Sequence, residues 1–189
     1  MLHQLRHEVE PCIEWAERCW QVGEDQGCPM RTIQADIYKG WALAAHGDTA
    51  DGVELIDRGV TRFHDAGATL NEAYYLGMYA DALVNAGEPE RACALLDQAG
   101  ERTTGRTYFF EAELERIRAR ALVRLGDDRL DDARTWLDRS LESARELGAT
   151  ALLLRATSDR CDLEMRYGDP EPWREALIGL LAVSEGQQP

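Results

Sequence analysis

The sequence predicts an all-α protein, built as a right-handed α-solenoid in which helix pairs stack one on another. Composition is the first observation behind this fold class: the helix formers Ala, Leu, Glu and Arg prevail over β-branched residues, and only 6 prolines occur. The second observation is a glycine pattern that recurs about every 40 residues, a period typical of repeats made of two helices. We expect residues 1–189 to form a single repeat domain.

Two interleaved glycine series mark the predicted helix ends. Each glycine follows an amphipathic stretch, where a residue without Cβ most easily takes the left-handed conformation that ends a helix. In the first series an acidic residue comes next and favours the start of the following helix. The first series is Gly47, Gly87, Gly126 and Gly168, and the second is Gly27, Gly67, Gly105 and Gly148.

These boundaries divide the chain into an unpaired N-terminal helix and about four helix pairs. Residues 1–28 hold the unpaired helix, predicted over 8–26. The pairs occupy residues 29–67, 68–105, 106–148 and 149–185. Their predicted helices run over 31–45 and 49–66, 71–86 and 89–103, 108–125 and 130–147, and 149–167 and 172–184. Pro89 and Pro172 stand at helix starts, where a missing N–H is tolerated.

Small residues recur where the two helices of a pair should cross closely. Gly40, Ala80, Ala119 and Cys161 each precede a turn glycine by seven residues. Gly52 and Ala92 each follow one by five residues. We expect these positions to form the close contacts within pairs.

Together these features resemble the tetratricopeptide repeat, whose second helix opens with Gly-Asp/Glu-x-x-x-Ala, as residues 87–92 do. The chain further resembles the C-terminal part of bacterial multidomain adenylate/guanylate cyclases and of LuxR-type regulators related to the maltose regulator. The segments that carry this likeness are 40–47 (GWALAAHG), 110–118 (FEAELERIR), 143–149 (SARELGA) and 153–158 (LLRATS). The resemblance implies a sensory or assembly region of a larger signalling regulator. The sequence contains no cyclase, P-loop or helix-turn-helix signature, so those activities are not carried over, and residues 168–173 depart from the repeat spacing.

Charge and composition exclude several classes of protein. With 35 acidic and 21 basic residues the net charge is −14, which argues against nucleic-acid binding. No apolar run approaches the roughly 20 residues of a membrane span, and residues 1–8 do not resemble a signal peptide, so we expect a cytoplasmic protein. The 5 cysteines lack the CxxC spacing of a zinc site, and their odd number does not suit a disulfide framework.

The search for catalytic chemistry gives little. His3, His7 and Cys12 could present metal ligands on one side of a helix, but no further ligand stands at a convincing spacing. No nucleophile and base are brought together by spacing alone. We expect no enzymatic activity, no bound metal and no cofactor.

A charged stripe on the first helix of the third pair is one candidate binding site. Its members, three or four residues apart on one helical face, are Glu113, Arg116, Arg120 and Arg124. First helices line the concave groove of tetratricopeptide arrays, so the resemblance implies guanidiniums that can bind an acidic peptide or an anionic ligand. Arg155 and Arg166 on the next first helix would extend the site. The alternative is a solvated edge neutralised by Glu113, Asp159 and Asp162.

Aromatic residues on the earlier first helices are a second candidate site. They are Tyr38, Trp41, Tyr74, Tyr75 and Tyr79. Trp41 and Tyr74 fall where groove residues lie in tetratricopeptide arrays, so an aromatic-lined groove would suit a peptide or a sugar-like ligand. The alternative is ordinary packing between repeats.

We therefore predict a non-catalytic module that binds a protein or peptide, such as an acidic one, in a concave groove. The alternative function is a regulatory domain that senses an anionic or sugar-like effector in the same groove. The unpaired first helix could also find its partner in a second copy of the chain, which would give a homodimer through end helices. Nucleic acid and membrane are not expected as partners.

Overall fold

The computed structural model of the protein describes residues 1–103 and 110–186, with side chains described for 1–101 and 110–182. Within these ranges every regular element is a helix and there is no strand, so the all-α prediction is confirmed. The helices group into two compact units, Met1–Thr104 and Gly105–Pro189. The boundary between the units coincides with the predicted end of the second helix pair at residue 105.

The first unit contains α1 (Leu2–Leu5), α2 (Val9–Asp25), α3 (Pro29–His46), α4 (Thr49–Asp65), α5 (Glu72–Ala86) and α6 (Pro89–Thr103). Pro29 and Pro89 each open a helix, where proline's fixed φ suits the first turn. Consecutive helices from α1 to α6 pack on one another, and α3 and α5 also pack side by side. Helix α1 was not predicted. The other helix ends lie within a few residues of the predicted ones.

The crossing of α3 and α4 has no room for side chains. A Cβ on Gly40 would stand 2.6 Å from the backbone nitrogen of Ile56. A Cβ on Gly52 would stand 2.5 Å from the backbone nitrogen of Ala44. The two helix backbones are therefore in direct contact at the pair of small residues that the sequence predicts to mark a close crossing. At the corresponding positions of α5 and α6, Ala80 and Ala92 are fully buried.

Helix α5 is buried on all its faces. Every residue from 72 to 84 is buried, including Glu72 and Asp81. The neighbouring α3, α4 and α6 all pack against it. This explains why its sequence shows hardly any polar face, in contrast to the amphipathic α4 and α6.

The second unit contains α7 (Glu111–Leu125), a short 3-10 turn (Asp127–Arg129), α8 (Leu130–Glu146), α9 (Thr150–Tyr167) and α10 (Glu171–Gly186). Consecutive helices pack together, and α7 and α9 also contact each other. The larger part of its core is formed by Ala119, Leu122, Ala133, Leu137 and Leu163. Residues 108 and 109 of the predicted third pair, and Gly105, lie outside the described residues.

Among the described turn glycines two depart from the predicted left-handed cap: Gly168, and Gly126, whose φ of 143° is positive but whose ψ of 172° is extended. Positive φ angles occur at Gly27, Gly47, Gly67, Gly87, Gly126 and Gly148. The prediction is wrong for Gly168, which is extended at φ −161°. The Gly168 N–H still donates to the carbonyl of Glu164, and the next residue, Asp169, precedes Pro170 and is itself restricted to extended conformations.

No helix in the described part of the chain combines the length and the apolar character needed to cross a membrane.

Candidate functional site

The predicted aromatic site lies in the first unit, where α3 and α5 pack side by side. Trp41 on α3 is 0% exposed, and its indole N–H donates a hydrogen bond to Oδ2 of Asp81 on α5 at 2.9 Å. Tyr74 on α5 is 2% exposed, and its hydroxyl donates to Oε1 of Gln4 at 2.6 Å. We refer to the surface formed by Trp41, Tyr74 and Asp81 as the α3–α5 surface.

The N-terminal segment of the chain covers this surface. Gln4, in α1, reaches Tyr74 with its side-chain carbonyl. The ring of His7 packs edge-on against Trp41, with ring centroids 5.1 Å apart and planes at 80°. Gln4 therefore contacts Tyr74 of α5, and His7, three residues later, contacts Trp41 of α3. The predicted groove residues are thus in contact with a short helical segment of the chain itself.

More aromatic rings support the α3–α5 surface from the side. The ring of Tyr38 lies 6.3 Å from that of Tyr74 and 6.2 Å from that of Tyr75. Phe63 packs edge-on against Tyr75 at 4.9 Å. Burial raises the pKa of Tyr38 and of Tyr75 above the ordinary value, so both phenols stay protonated at neutral pH. The support is therefore an uncharged and closely packed aromatic cluster.

The arginine candidates lie in the second unit, and two of them meet at one carboxylate. Arg116 is 3% exposed, and its Nε and Nη2 each donate to a carboxylate oxygen of Glu113 at 2.9 Å. Its Nη1 donates to Asp159 on α9. Nη2 of Arg155 lies 2.8 Å from Glu113. Arg116 and Arg155 therefore have carboxylate partners inside the unit.

The remaining arginine candidates lie nearer to solvent. Arg120 is half-buried, whereas Arg124 and Arg166 are exposed near the C-terminal ends of α7 and α9. Trp41 and Tyr74 belong to the other unit.

The histidines and the cysteine considered as metal ligands make separate contacts. Nδ1 of His3 lies 2.5 Å from Oε2 of Glu8, and His7 lies against Trp41. The Cys12 thiol is directed at the carbonyl oxygen of Tyr38 at 3.8 Å, and burial raises the pKa of Cys12 to about 11. This thiol is protonated at neutral pH and is a poor nucleophile. Among the described residues there is no group of three or more His, Cys, Asp or Glu placed to hold a metal ion.

A groove between α2 and α4 offers a different kind of site. It has a volume of about 370 Å³, and Trp20, Lys39 and Arg58 are among the residues that line it. Nζ of Lys39 lies 2.7 Å from Oε1 of Glu17, at the edge of the groove. The size is within the range of small-ligand sites, and the lining combines an indole with two cationic side chains and with the carboxylates of Glu17 and Asp36.

Two residues at this site, Asp81 of the α3–α5 surface and Gln4 that covers it, were missed by sequence reasoning. Asp81 follows Trp41 by one repeat period, and equivalent positions of stacked repeats are neighbours in space, so the period itself could have indicated this pair. Gln4 gives no such signal, because it lies outside the repeats and reaches Tyr74 across 70 residues of chain.

Comparisons with known proteins add one relative. No protein-family model matches the chain. The chain is 34% identical over 166 residues to an uncharacterized protein of Rhizobium meliloti (strain 1021). The alignment covers 86% of this chain and 16% of the relative. The chain therefore spans about a sixth of the length of the curated relative that it matches.

Proposed function

We propose that this chain is a non-catalytic protein-binding module, made of tetratricopeptide-like helix pairs, that takes a short helical peptide segment on its α3–α5 surface. The observation that carries the proposal is the contact of Gln4 and His7 with Tyr74 and Trp41. The one-turn helix α1 contacts α5 through Gln4, and His7, two residues beyond the helix, contacts α3 through its ring. Helical segments are a recurring class of ligand for grooves between helices, although their anchors are more often apolar.

The packing order of the helices supports the tetratricopeptide-like arrangement. Within each unit, consecutive helices pack together and the first helices of successive pairs also touch: α3 with α5, and α7 with α9. Stacked helix pairs require both kinds of contact, because each pair packs on the next through its first helix. The direct backbone contact of Gly40 with the Gly52 turn of α4 supports close pairing within α3 and α4. A right-handed stack is the arrangement we propose for these pairs.

We propose that this chain is an interaction region of a larger bacterial signalling regulator, or a protein split from such a regulator. The likeness to the C-terminal part of multidomain cyclases and LuxR-type regulators is one support. The relative from Rhizobium meliloti is the other, because this chain matches only a small share of a much longer protein. A role in transcription regulation would follow from the LuxR-type likeness.

Selection of binding peptides from a random library, followed by mapping of their binding site on the chain, tests the proposal. Random peptides of about 15 residues are displayed and selected against the full chain, and enriched peptides are measured by fluorescence anisotropy. Hydrogen exchange with and without the best peptide then locates it. We expect micromolar binding, with slower exchange in α3 and α5. Failure to enrich any binding peptide, or protection confined to α7 and α9, would overturn the proposed site.

The sensor alternative is favoured by one observation, the groove of about 370 Å³ between α2 and α4. An anionic effector would meet Lys39 and Arg58 there, and a sugar ring would stack on Trp20. A thermal-shift screen of phosphorylated sugars distinguishes this function. A stabilising ligand whose effect disappears in Arg58→Ala and persists in the control Arg124→Ala would favour the sensor.

A further inference from the structure

The N-terminal segment buries the polar side chain of Gln4 and exposes the apolar side chains of Met1 and Leu2, while Leu5 is half-buried. Gln4 is 2% exposed, whereas Leu2 is 60% exposed and Met1 is also exposed. An ordinary terminal helix that stabilises a fold would do the reverse, since apolar burial supplies most of the stabilising free energy. The contacts of the Gln4 amide with Tyr74 and of the His7 ring with Trp41 therefore contribute to the attachment of α1.

The segment has little structure of its own. Helix α1 comprises Leu2–Leu5 and is followed by His7, which has a left-handed φ of 57° although it carries a Cβ. A single helical turn is not stable in isolation, because its nucleation is unfavourable. Releasing the segment would also let His7 return to ordinary backbone angles. The helical form of residues 2–5 thus exists because the segment is docked.

Gln4 is the buried residue of the segment, His7 is exposed although its ring lies against Trp41, and the other contacts of the segment also lie at the surface. His3 pairs with Glu8 and stacks over Trp15 at 6.5 Å between ring centroids. Arg6 lies 3.7 Å from Glu8, with the guanidinium exposed. Exposed ion pairs of this kind contribute little to stability. A segment with one buried side chain and exposed ion pairs belongs to the part of a fold that opens locally.

The receiving surface, by contrast, is held by the core. Asp81 is fully buried and accepts the indole N–H of Trp41, and Tyr38 and Tyr75 flank Tyr74. These contacts link α3 to α5 without any contribution from α1. The surface is therefore preorganised, which reduces the cost of binding a ligand.

We infer that the α3–α5 surface is a receptor for a one-turn helix that carries a carboxamide and is followed, three residues after the carboxamide, by an imidazole, and that residues 2–7 of the chain fill it as a displaceable occupant. The inference rests on the proposed function and names its ligand class: a partner protein that presents a Gln-x-x-His turn. A tethered occupant acts at an effective concentration on the order of millimolar, so it competes strongly with free ligand. The apparent affinity for a partner is the intrinsic affinity multiplied by the fraction of chains whose α3–α5 surface is uncovered.

A peptide-binding experiment on the full chain tests the inference. The probe is a synthetic peptide with the sequence of residues 1–8, labelled with fluorescein at its C-terminal end, and binding is followed by anisotropy. The receptor is the variant Gln4→Ala/His7→Ala, which loses both side chains that hold the occupant. The matched control is Leu2→Ala/Arg6→Ala, which changes two exposed side chains of the same segment. Circular dichroism verifies that both variants remain helical.

We expect the Gln4→Ala/His7→Ala variant to bind the probe at least about tenfold more tightly than the unsubstituted chain or the control, because its surface is open. A probe in which the glutamine and histidine are replaced by alanine should not bind. Equal binding by the variant and the control overturns the inference. A dimer that disappears on Gln4→Ala also overturns it, because the segment would then occupy a second copy.

Hydrogen exchange on the unsubstituted chain gives a second readout that needs no variant. The amides of residues 5–8 donate to the carbonyls of residues 1–4. We expect these amides to exchange far faster than those of α3, and faster still with excess unlabelled probe. Exchange as slow as in α3 would show that the segment is not displaceable. If library-selected peptides bind α3 and α5 but the probe binds no variant, the proposed function stands and this inference fails.

Discussion

Gly52 is a residue whose lack of a side chain determines how α3 and α4 approach. We expect Gly52→Ala to lower the free energy of unfolding by about 1–3 kcal/mol, because a Cβ there would stand 2.5 Å from the backbone of Ala44 and neither helix backbone can move without disturbing the other. Alanine's better helix propensity offsets only part of this loss. Urea denaturation followed by circular dichroism measures the change.

The matched control is Gly100→Ala, in α6 of the same unit. Gly100 is exposed, and a Cβ there would meet nothing within 4 Å. This change should stabilise the chain by about 0.5–1 kcal/mol through helix propensity alone. Equal effects of the two substitutions would mean that the α3–α4 crossing tolerates a methyl group.

Side-chain direction is the residue-level property that sequence could not supply. The spacing of Arg116, Arg120 and Arg124 indicates a shared helical face. The spacing does not show which members of the stripe face neighbouring helices. The structure buries Arg116 and leaves Arg124 exposed. Helix phase is set by the neighbours that pack on α7, which are distant in sequence.

At the scale of elements, α8 and α9 are joined by Glu164. Nε of Arg134 on α8 donates to Oε1 of Glu164 at 2.9 Å, and Nε of Arg160 on α9 donates to the same oxygen at 2.9 Å. The Arg134 guanidinium, assisted by Arg160, holds the pKa of Glu164 below its ordinary value. The carboxylate therefore stabilises the folded chain wherever it is ionised.

We expect Glu164→Gln to lower the free energy of unfolding by about 1–3 kcal/mol at pH 7, because charge-assisted hydrogen bonds are lost. The stabilisation is present above the ordinary glutamate pKa of about 4.3 and is lost as pH falls through the lower folded-state value. The difference between the chain and the variant should therefore shrink as the pH is lowered from 7 to about 3.

Urea denaturation at several pH values makes this measurement. Glu146→Gln, an exposed position on α8, is the control and should have little effect at any pH. A difference for Glu164→Gln that stays constant across the pH series would contradict the role assigned to the carboxylate.

The helices themselves were largely predictable, and the exception is instructive. Glycine spacing and sequence pattern located α2 to α10, because several of these helices end at glycine turns that the local sequence encodes. Helix α1 escaped, since four residues carry no periodicity and its position depends on Tyr74, 70 residues away. The candidate site was predicted only in part for the same reason: Trp41 and Tyr74 were recognised, but not what lies on them.

At the scale of the whole molecule, apolar side chains remain exposed on end helices. Trp15 and Val22, seven residues apart on one face of α2, are exposed, as are Ile178 and Leu181 on α10. Repeat arrays bury such faces against a further helix or a polar cap. We therefore expect the purified chain to form a dimer, which light scattering coupled to size exclusion would detect.

Two charge substitutions identify the face that associates. Val22→Glu should return the chain to a monomer if α2 forms the interface, whereas Ile178→Glu should do so if α10 forms it. Each variant serves as the control for the other, because both place a carboxylate on an exposed apolar position. A monomer at every concentration would contradict the predicted homodimer.

The complete burial of α5 has a consequence for how this chain can change over generations. On an amphipathic helix such as α4, the outward positions are free to vary, so substitutions accumulate with the period of the helix. Helix α5 has no outward positions between residues 72 and 84. In related sequences α5 should therefore vary little along its whole length. Substitutions in α4 and α6 should be confined to the faces that point away from α5.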